Sequence, residues 1–155
     1  MERNTPNWRI AMGVYTRFKK NPDGFRQIVE LLESTPLSRR QKMIDVGMLE
    51  DPDYTQRAMQ YVLNFDDVLK LPVEELTEVV AKAPARMIAF AIAKLSDEIK
   101  TRILSCCKPP IAAEVKDYMS PTIGLREVGG AQLKMIETAR SLEKIGLIKT
   151  KRIPL

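Results

Sequence analysis

The sequence contains no histidine, which is the commonest general base and metal ligand near neutral pH. Its two cysteines, Cys106 and Cys107, are adjacent and lack the separated pairs that bind zinc, so we expect free thiols. The Gly129-Gly130 pair lies inside a helical pattern and is not followed by the Lys-Ser/Thr step of a phosphate-binding loop. We therefore expect neither a metal nor a cofactor.

Adjacent carboxylates are the remaining candidates for catalysis. Asp66 and Asp67 are neighbours, and so are Glu74 and Glu75. Neighbouring side chains on a helix point about 100° apart, so these carboxylates do not converge as a general acid and a general base. We therefore predict that the protein is not an enzyme and that it works by binding.

Long apolar runs are also missing. No stretch of about 18 consecutive apolar residues exists, so we expect no membrane insertion. Residues 1–6 contain no apolar signal segment, and we expect a cytoplasmic protein. Aromatic residues make up only 6% of the chain, and no stretch shows the strict apolar and polar alternation of a half-buried strand over six residues. The sequence therefore predicts an all-α fold.

Helical patterns separated by short turns fill the first part of the chain. The first pattern runs from Trp8 to Lys20 and ends at the turn residues 21–24. Asp51 followed by Pro52 predicts an N-cap and the first residue of another helix. Short antiparallel helices packed in layers are the expected result. We predict an armadillo-like, right-handed superhelix made of such helices.

The helical pattern breaks at residues 65–67, and we place a boundary between two helical subdomains near Val62 to Phe65. The two subdomains then comprise residues 1–63 and 64–155.

Three features stand out in the second subdomain. The helix after Pro84 is apolar nearly all round, which predicts the centre of a core. The longest helix begins at Leu125, carries Ile145 on its apolar side and ends at Gly146, a residue typical of C-terminal caps. We expect residues 149–155 to form a frayed basic tail.

The pattern of residues 111–118 predicts a short helix with one apolar side and one charged side. Ile111, Val115 and Tyr118 fall on the apolar side at helical spacing. The opposite side carries Lys116 and Asp117, with Glu114 at its flank. We expect a charged ridge displayed on a helical support.

The charge of the whole chain is less informative. A net charge of +5 arises from 25 basic and 20 acidic residues spread along the sequence, which is typical of a mixed solvated surface. The basic stretch from Arg140 to Arg152 leaves nucleic-acid binding open as an alternative. However, no strand pair of a winged-helix domain is recognisable there, and the apolar stripe of this helix is needed for packing. Protein contact is therefore the leading hypothesis.

Six segments follow one another in an order and spacing that characterise one protein family. They begin at Phe65, Val79, Ala91, Ile111, Val128 and Ala139. Ile111-Ala-Ala-Glu-Val-Lys-Asp is similar to that family's torque helix, and Ala139-Arg-Ser-Leu-Glu-Lys-Ile-Gly to its last helix. Over residues 63–148 the sequence thus resembles the C-terminal domain of FliG, the flagellar motor switch family. Residues 23–61 resemble the end of the FliG middle domain.

The resemblance implies a rotor component that acts by protein contacts. Its expected partners are a MotA-like stator protein and a FliM-like switch protein, at the cytoplasmic face of the flagellar basal body. Self-association by stacking of helices is a further expectation. The alternative is a FliG-fold paralogue with another protein-interaction role.

The ridge and the resemblance together imply a set of stator-facing charged residues: Lys94, Lys108, Glu114, Lys116, Asp117 and Arg126. Asp117 matches an acidic residue of the family's torque helix, whereas the family's leading arginine falls on Pro110. The family's hinge falls on four residues: Val62, Leu63, Asn64 and Phe65.

Overall fold

The computed structural model describes residues 15–154, and all regular elements in that range are helical. After the helical residues 15–20, nine helices follow within it. They are α1 (Gly24–Ser34), α2 (Leu37–Glu50), α3 (Pro52–Tyr61), α4 (Phe65–Leu69), α5 (Val73–Lys82), α6 (Ala85–Ile92), α7 (Asp97–Ser105), α8 (Pro109–Tyr118) and α9 (Leu125–Lys144). The all-α prediction is confirmed. The beginning of the predicted helix from Trp8 to Lys20 lies outside the described residues.

The described residues divide into two compact units. The first unit comprises residues 15–62 together with 151–154, and the second comprises residues 63–150. Each unit has its own cluster of buried apolar side chains.

In the first unit, α3 packs against both α1 and α2. Helix α1 contributes Ile28, Val29 and Leu32 to the core, and each of these side chains is fully buried. The predicted cap of α3 is present, since Asp51 Oδ1 accepts a hydrogen bond from the Tyr54 amide at 3.2 Å. This bond satisfies one of the free N–H groups at the start of the helix.

A close approach in the first unit depends on a glycine. A Cβ atom at Gly47 would lie 2.5 Å from Thr55 Oγ1 and 2.6 Å from Tyr15 Cζ. Since real Cβ atoms do not approach other atoms so closely, the absence of a side chain on α2 lets Tyr15 and α3 pack directly on its backbone.

In the second unit, α6 occupies the centre, as its sequence predicts. It packs against both α8 and α9. Four of its residues are fully buried: Ile88, Ala89, Ala91 and Ile92. Gln132 Nε2 on α9 also donates a hydrogen bond to the Ala91 carbonyl at 3.0 Å, which fixes the long helix to this centre.

The break predicted at residues 65–67 is wrong, because Phe65–Leu69 forms the short helix α4. Asn64 and Asp67 form a capping box at its first turn, in which the Asn64 amide donates to Asp67 Oδ2 at 2.8 Å. The spacing Asn-x-x-Asp is the signal in the sequence for this helix.

The end of α9 confirms one expectation and corrects another. Gly146 has φ +86° and follows the last turn, as expected of a C-terminal cap. The Leu147 amide donates to the Leu142 carbonyl at 2.9 Å, and the Gly146 amide donates to Glu143 at 3.0 Å, which is the Schellman pattern. Ile145, predicted to be buried, is 68% exposed because the helix ends before it.

The expectation of a frayed tail at residues 149–155 is also wrong for the part that the structure describes. Ile153 is only 2% exposed and belongs to the apolar cluster of the first unit. Residues 151–154 therefore belong to the first unit, whereas the sequence placed them at the end of the second subdomain.

Candidate protein-binding ridge

Helix α8 has the two sides that its sequence predicts, with one correction. Lys108 occupies the N-cap position and two prolines begin the helix, where proline needs no amide partner. Val115 is fully buried, and Ile111 is half-buried against the core of the second unit. Tyr118, predicted on the apolar side, is 48% exposed because it is the last residue of the helix.

The other side of α8 carries exposed charge. Glu114, Lys116 and Asp117 are all exposed. Within residues 15–154, none of the three forms an ion pair or a side-chain hydrogen bond, so nothing in that part of the chain neutralises them. These three residues, with Lys94, Lys108 and Arg126, are called the charged ridge below.

The structure brings Lys94 to one end of α8. Its Nζ atom donates a hydrogen bond to the Pro121 carbonyl at 3.2 Å, just beyond the last turn of the helix. Lys94 and Lys100 also line a surface cavity of about 370 Å³ together with Met119, Ser120 and Pro121. Sequence reasoning did not select Lys100 for the ridge, because helical periodicity within α7 does not show that α7 approaches the end of α8.

The two remaining basic residues are less closely connected to the charges of α8. Lys108 is exposed at the start of the helix, and Arg126 is exposed in the first turn of α9. Neither forms an ion pair with an acidic residue in the part of the chain that the structure describes. All six predicted residues are therefore exposed. Among the basic residues outside α8, Lys94 is the one that the structure connects to the end of α8, through its hydrogen bond to the Pro121 carbonyl.

The predicted hinge residues lie where the two units meet along the chain. Val62 is 6% exposed and belongs to the core of the first unit, whereas Leu63 is fully buried in the core of the second. Asn64 caps α4, and Phe65 packs against the second core. The Val62–Leu63 peptide bond therefore joins a residue buried in the first core to a residue buried in the second.

The adjacent cysteines lie between α7 and α8. Both are half-buried free thiols. Burial raises the pKa of the Cys107 thiol, and the neighbouring Cys106 adds to that shift. The Cys107 Sγ–H group donates to the Ile103 carbonyl at 3.5 Å.

Metal-binding clusters and membrane-spanning helices are absent from residues 15–154. This range contains no group of three or more metal-ligating side chains arranged to hold an ion. No helix in it combines the length and the apolar character needed to span a lipid bilayer.

The described residues thus define an all-helical scaffold that presents charged side chains from one short helix. The family model of the FliG C-terminal domain matches residues 48–149, a range that includes the whole charged ridge. The chain therefore belongs to the FliG family, in agreement with the resemblance seen in its sequence.

A curated relative and solved structures agree with this membership. The flagellar motor switch protein FliG of Thermotoga maritima is 29% identical over 151 residues, which cover 96% of this chain and 44% of that protein. The chain thus spans less than half the length of this relative.

Two solved structures share the fold. The structure of FliG residues 86–343 from H. pylori has a TM-score of 0.61 at 18% identity and covers 84% of this chain and 62% of that one. Full-length FliG from Aquifex aeolicus has a TM-score of 0.51 at 20% identity and covers 81% of this chain and 40% of that one.

Proposed function

We propose that the chain is a flagellar motor switch component that works through protein contacts, with the charged ridge as its contact surface. The observation that carries the proposal is the ridge itself, which is exposed and lies inside the region matched to the FliG C-terminal domain. The charges of α8 have no intramolecular ion pair among residues 15–154 and are available to a partner.

The partner in this proposal is a cytoplasmic loop of a MotA-like stator protein with charges of opposite sign. Glu114 and Asp117 would meet basic side chains, while Lys94, Lys108, Lys116 and Arg126 would meet acidic ones. An exposed ion pair contributes about 0 to 1 kcal/mol, so such contacts form and break without a large barrier. Weak, repeated contacts suit a rotor that a stator pushes past.

Other parts of the proposal follow from family membership. A FliM-like switch protein is the second proposed partner, and the cytoplasmic face of the basal body is the proposed location. Residues 1–63 would correspond to the end of the FliG middle domain, and residues 64–155 to its C-terminal domain. Rotation at Val62–Phe65 and self-association by helix stacking complete the proposal.

The test is capture of partners from flagellated cells with the tagged full chain at low salt. The variant Asp117→Lys reverses one charge of the ridge. Glu137→Lys is the matched control, because Glu137 is exposed on α9 and the substitution changes the net charge equally. Recovery of stator or switch proteins that D117K lowers and E137K preserves would support the proposal. Equal recovery by both variants would exclude the ridge as the contact surface.

Recovery of other proteins alone would instead support a FliG-fold paralogue with a different binding role. Nucleic-acid binding has less support, because two basic residues of the stretch from Arg140 to Arg152 already have partners within the chain. Arg140 is 4% exposed and pairs with Glu143, and the Lys151 ammonium donates to the Val62 carbonyl. This alternative would be supported by measurable DNA binding whose affinity falls steeply between low and physiological salt.

A further inference from the structure

A surface cavity of about 590 Å³ lies in the first unit, where the start of α1 meets α3. Its walls include Phe25 from the first turn of α1, and Tyr54 and Arg57 from α3. Clefts of roughly 300 to 1,000 Å³ are the size that holds small ligands in proteins. No residue of the charged ridge lines this cavity, so it is a separate candidate site.

The aromatic wall of the cavity is fixed by packing. The Phe25 ring meets the Tyr54 ring edge to face, with centroids 5.7 Å apart, and meets the Tyr61 ring in the same way at 5.7 Å. The Arg57 guanidinium lies over the Phe25 ring, 4.6 Å from its centroid. Because Tyr54 and Arg57 are three positions apart on α3, their side chains lie on the same face of that helix. The wall therefore places a cation next to apolar surface.

The Tyr54 hydroxyl has an unused donor. The Tyr54 side chain belongs to the core of the first unit and the residue is only 9% exposed. Within residues 15–154 its hydroxyl forms no hydrogen bond, and its oxygen is not enclosed by the fold. The polar atoms of such buried side chains almost always have a partner in native proteins. This hydroxyl is therefore free to donate to a ligand in the cavity.

The cations around the cavity differ in whether they have acidic partners. The Lys19 ammonium lies 2.5 Å from the Asp51 carboxylate, and the Arg26 guanidinium lies 3.7 Å from the Glu30 carboxylate. Arg57 is exposed and forms no ion pair with any residue between 15 and 154. Arg57 is therefore the cation of this cavity that is available to an anion.

The charges near the phenol favour an anion that carries a single charge. Burial raises the pKa of Tyr54, Arg57 and Lys19 oppose this rise, and Asp51 adds a smaller one. The two cations therefore stabilise negative charge beside the hydroxyl. Asp23 also lines the cavity with an exposed carboxylate, which repels a doubly charged anion more strongly than a singly charged one. A carboxylate fits this balance better than a dianionic phosphate.

We propose that this cavity binds a carboxylate carried on an apolar body. The carboxylate accepts hydrogen bonds from the Arg57 guanidinium and the Tyr54 hydroxyl, and the apolar body packs against Phe25. Hydrogen bonds from a guanidinium to a carboxylate are short and strong, which makes Arg57 the main source of affinity. The same chemistry is offered by a small aromatic acid and by an acidic side chain beside an apolar one in a peptide. The proposal goes beyond the motor role and does not depend on it.

The experiment titrates the ¹⁵N-labelled full chain with hydrocinnamate and with hydrocinnamamide, which has the same apolar body and no charge. We expect the carboxylate to shift the amide signals of residues 24–27 and 54–57, and to bind about tenfold more tightly than the carboxamide. A blocked dipeptide of phenylalanine and glutamate is the second probe. Tighter binding of the dipeptide than of hydrocinnamate assigns the site to a peptide ligand, and the reverse assigns it to a small acid.

Four variants locate the site. Arg57→Ala should weaken the binding of hydrocinnamate about tenfold and Tyr54→Phe about threefold, because each removes a hydrogen-bond donor. Asp23→Asn should strengthen binding, because it removes a negative charge from the cavity wall. Arg39→Ala is the matched control and should leave binding unchanged, since Arg39 is exposed on α2 and does not line the cavity.

Chemical shifts of the unliganded variants check that the fold is kept. If Y54F perturbs the first unit, R57A and D23N decide the matter, because both of those residues are exposed. Equal binding of the carboxylate and the carboxamide overturns the proposal, and so does an affinity for hydrocinnamate that R57A leaves unchanged.

Discussion

Arg140 Nη1 donates a hydrogen bond to Glu143 Oε1 at 2.8 Å, and the two side chains are only 5% and 1% exposed. Both residues lie on α9, three positions apart. A buried ion pair is costly to break by removing one partner, because the other charge stays buried and loses an opposite charge 2.8 Å away. This pair is therefore more important to the fold than any charge of the ridge.

We predict that Glu143→Gln lowers the free energy of unfolding by about 3 kcal/mol. Urea denaturation of the two proteins measures the difference. Glu137→Gln on the exposed side of the same helix is the control and should change stability by less than about 0.5 kcal/mol. Equal stability of E143Q and the original chain would show that the pair contributes little.

Charge reversal in the ridge should leave the fold intact. Lys116 and Asp117 are exposed, and neither forms an ion pair within residues 15–154. We expect K116E and D117K each to change the free energy of unfolding by no more than about 0.5 kcal/mol. Thermal denaturation checks this, and a large loss of stability would mean that binding defects of these variants reflect unfolding.

Replacing glycine by alanine should change the stability of the protein in opposite directions at two positions. A Cβ atom at Gly129 would have no heavy atom within 4 Å, whereas one at Gly47 would clash with Thr55 and Tyr15. We predict that Gly129→Ala stabilises the protein by about 0.5 to 1 kcal/mol, because it removes the entropy cost of glycine in a helix. Gly47→Ala should destabilise it by about 1 to 3 kcal/mol through overpacking. Calorimetry of both variants tests the pair, and the same sign for both would contradict the packing described for α2.

Alkaline pH should weaken the first unit through Tyr15. Burial, with a smaller contribution from the Glu50 carboxylate, raises the pKa of Tyr15 to about 12. Because the folded-state pKa lies above the unfolded value of 10.0, the stabilisation is fully present below pH 10 and is lost as the pH rises towards 12. The loss should be roughly 2 to 3 kcal/mol.

Chemical denaturation between pH 9 and pH 12 measures this loss. Tyr15→Phe should remove most of the dependence, at the expense of the hydrogen bond that the Tyr15 hydroxyl donates to the Met43 carbonyl at 2.7 Å. Tyr118→Phe, at an exposed position, is the control. An alkaline slope that is the same in Y15F and the original chain would rule out Tyr15 as its source.

Much of this architecture follows from local sequence. The apolar pattern after Pro84 predicts the central position of α6, and Asp51-Pro52 predicts the start of α3. The charged residues of α8 are exposed because helical spacing alone separates them from Val115. These features depend on residues within one or two turns of each other, which is the range that periodicity describes.

The features that sequence reasoning missed depend on distant residues. The buried position of Ile153 requires the core built by α1 and α3, and the contact between Lys151 and Val62 spans 89 positions. The link between Lys94 and Pro121 spans 27. The stretch 149–155 has the same composition whether it is exposed to solvent or packed in a core. Composition alone therefore could not predict that Ile153 is buried in the first unit.

The position of Ile153 has a consequence for the order of folding. The core of the first unit includes a residue that is synthesised only after the whole of the second unit has been made. The first unit is thus discontinuous in the chain, with the second unit lying between α3 and Ile153 in the sequence. Contacts of such long sequence separation close slowly, because a large loop must be ordered before they form. The core of the first unit can therefore be completed only after the residues that follow the second unit have been synthesised.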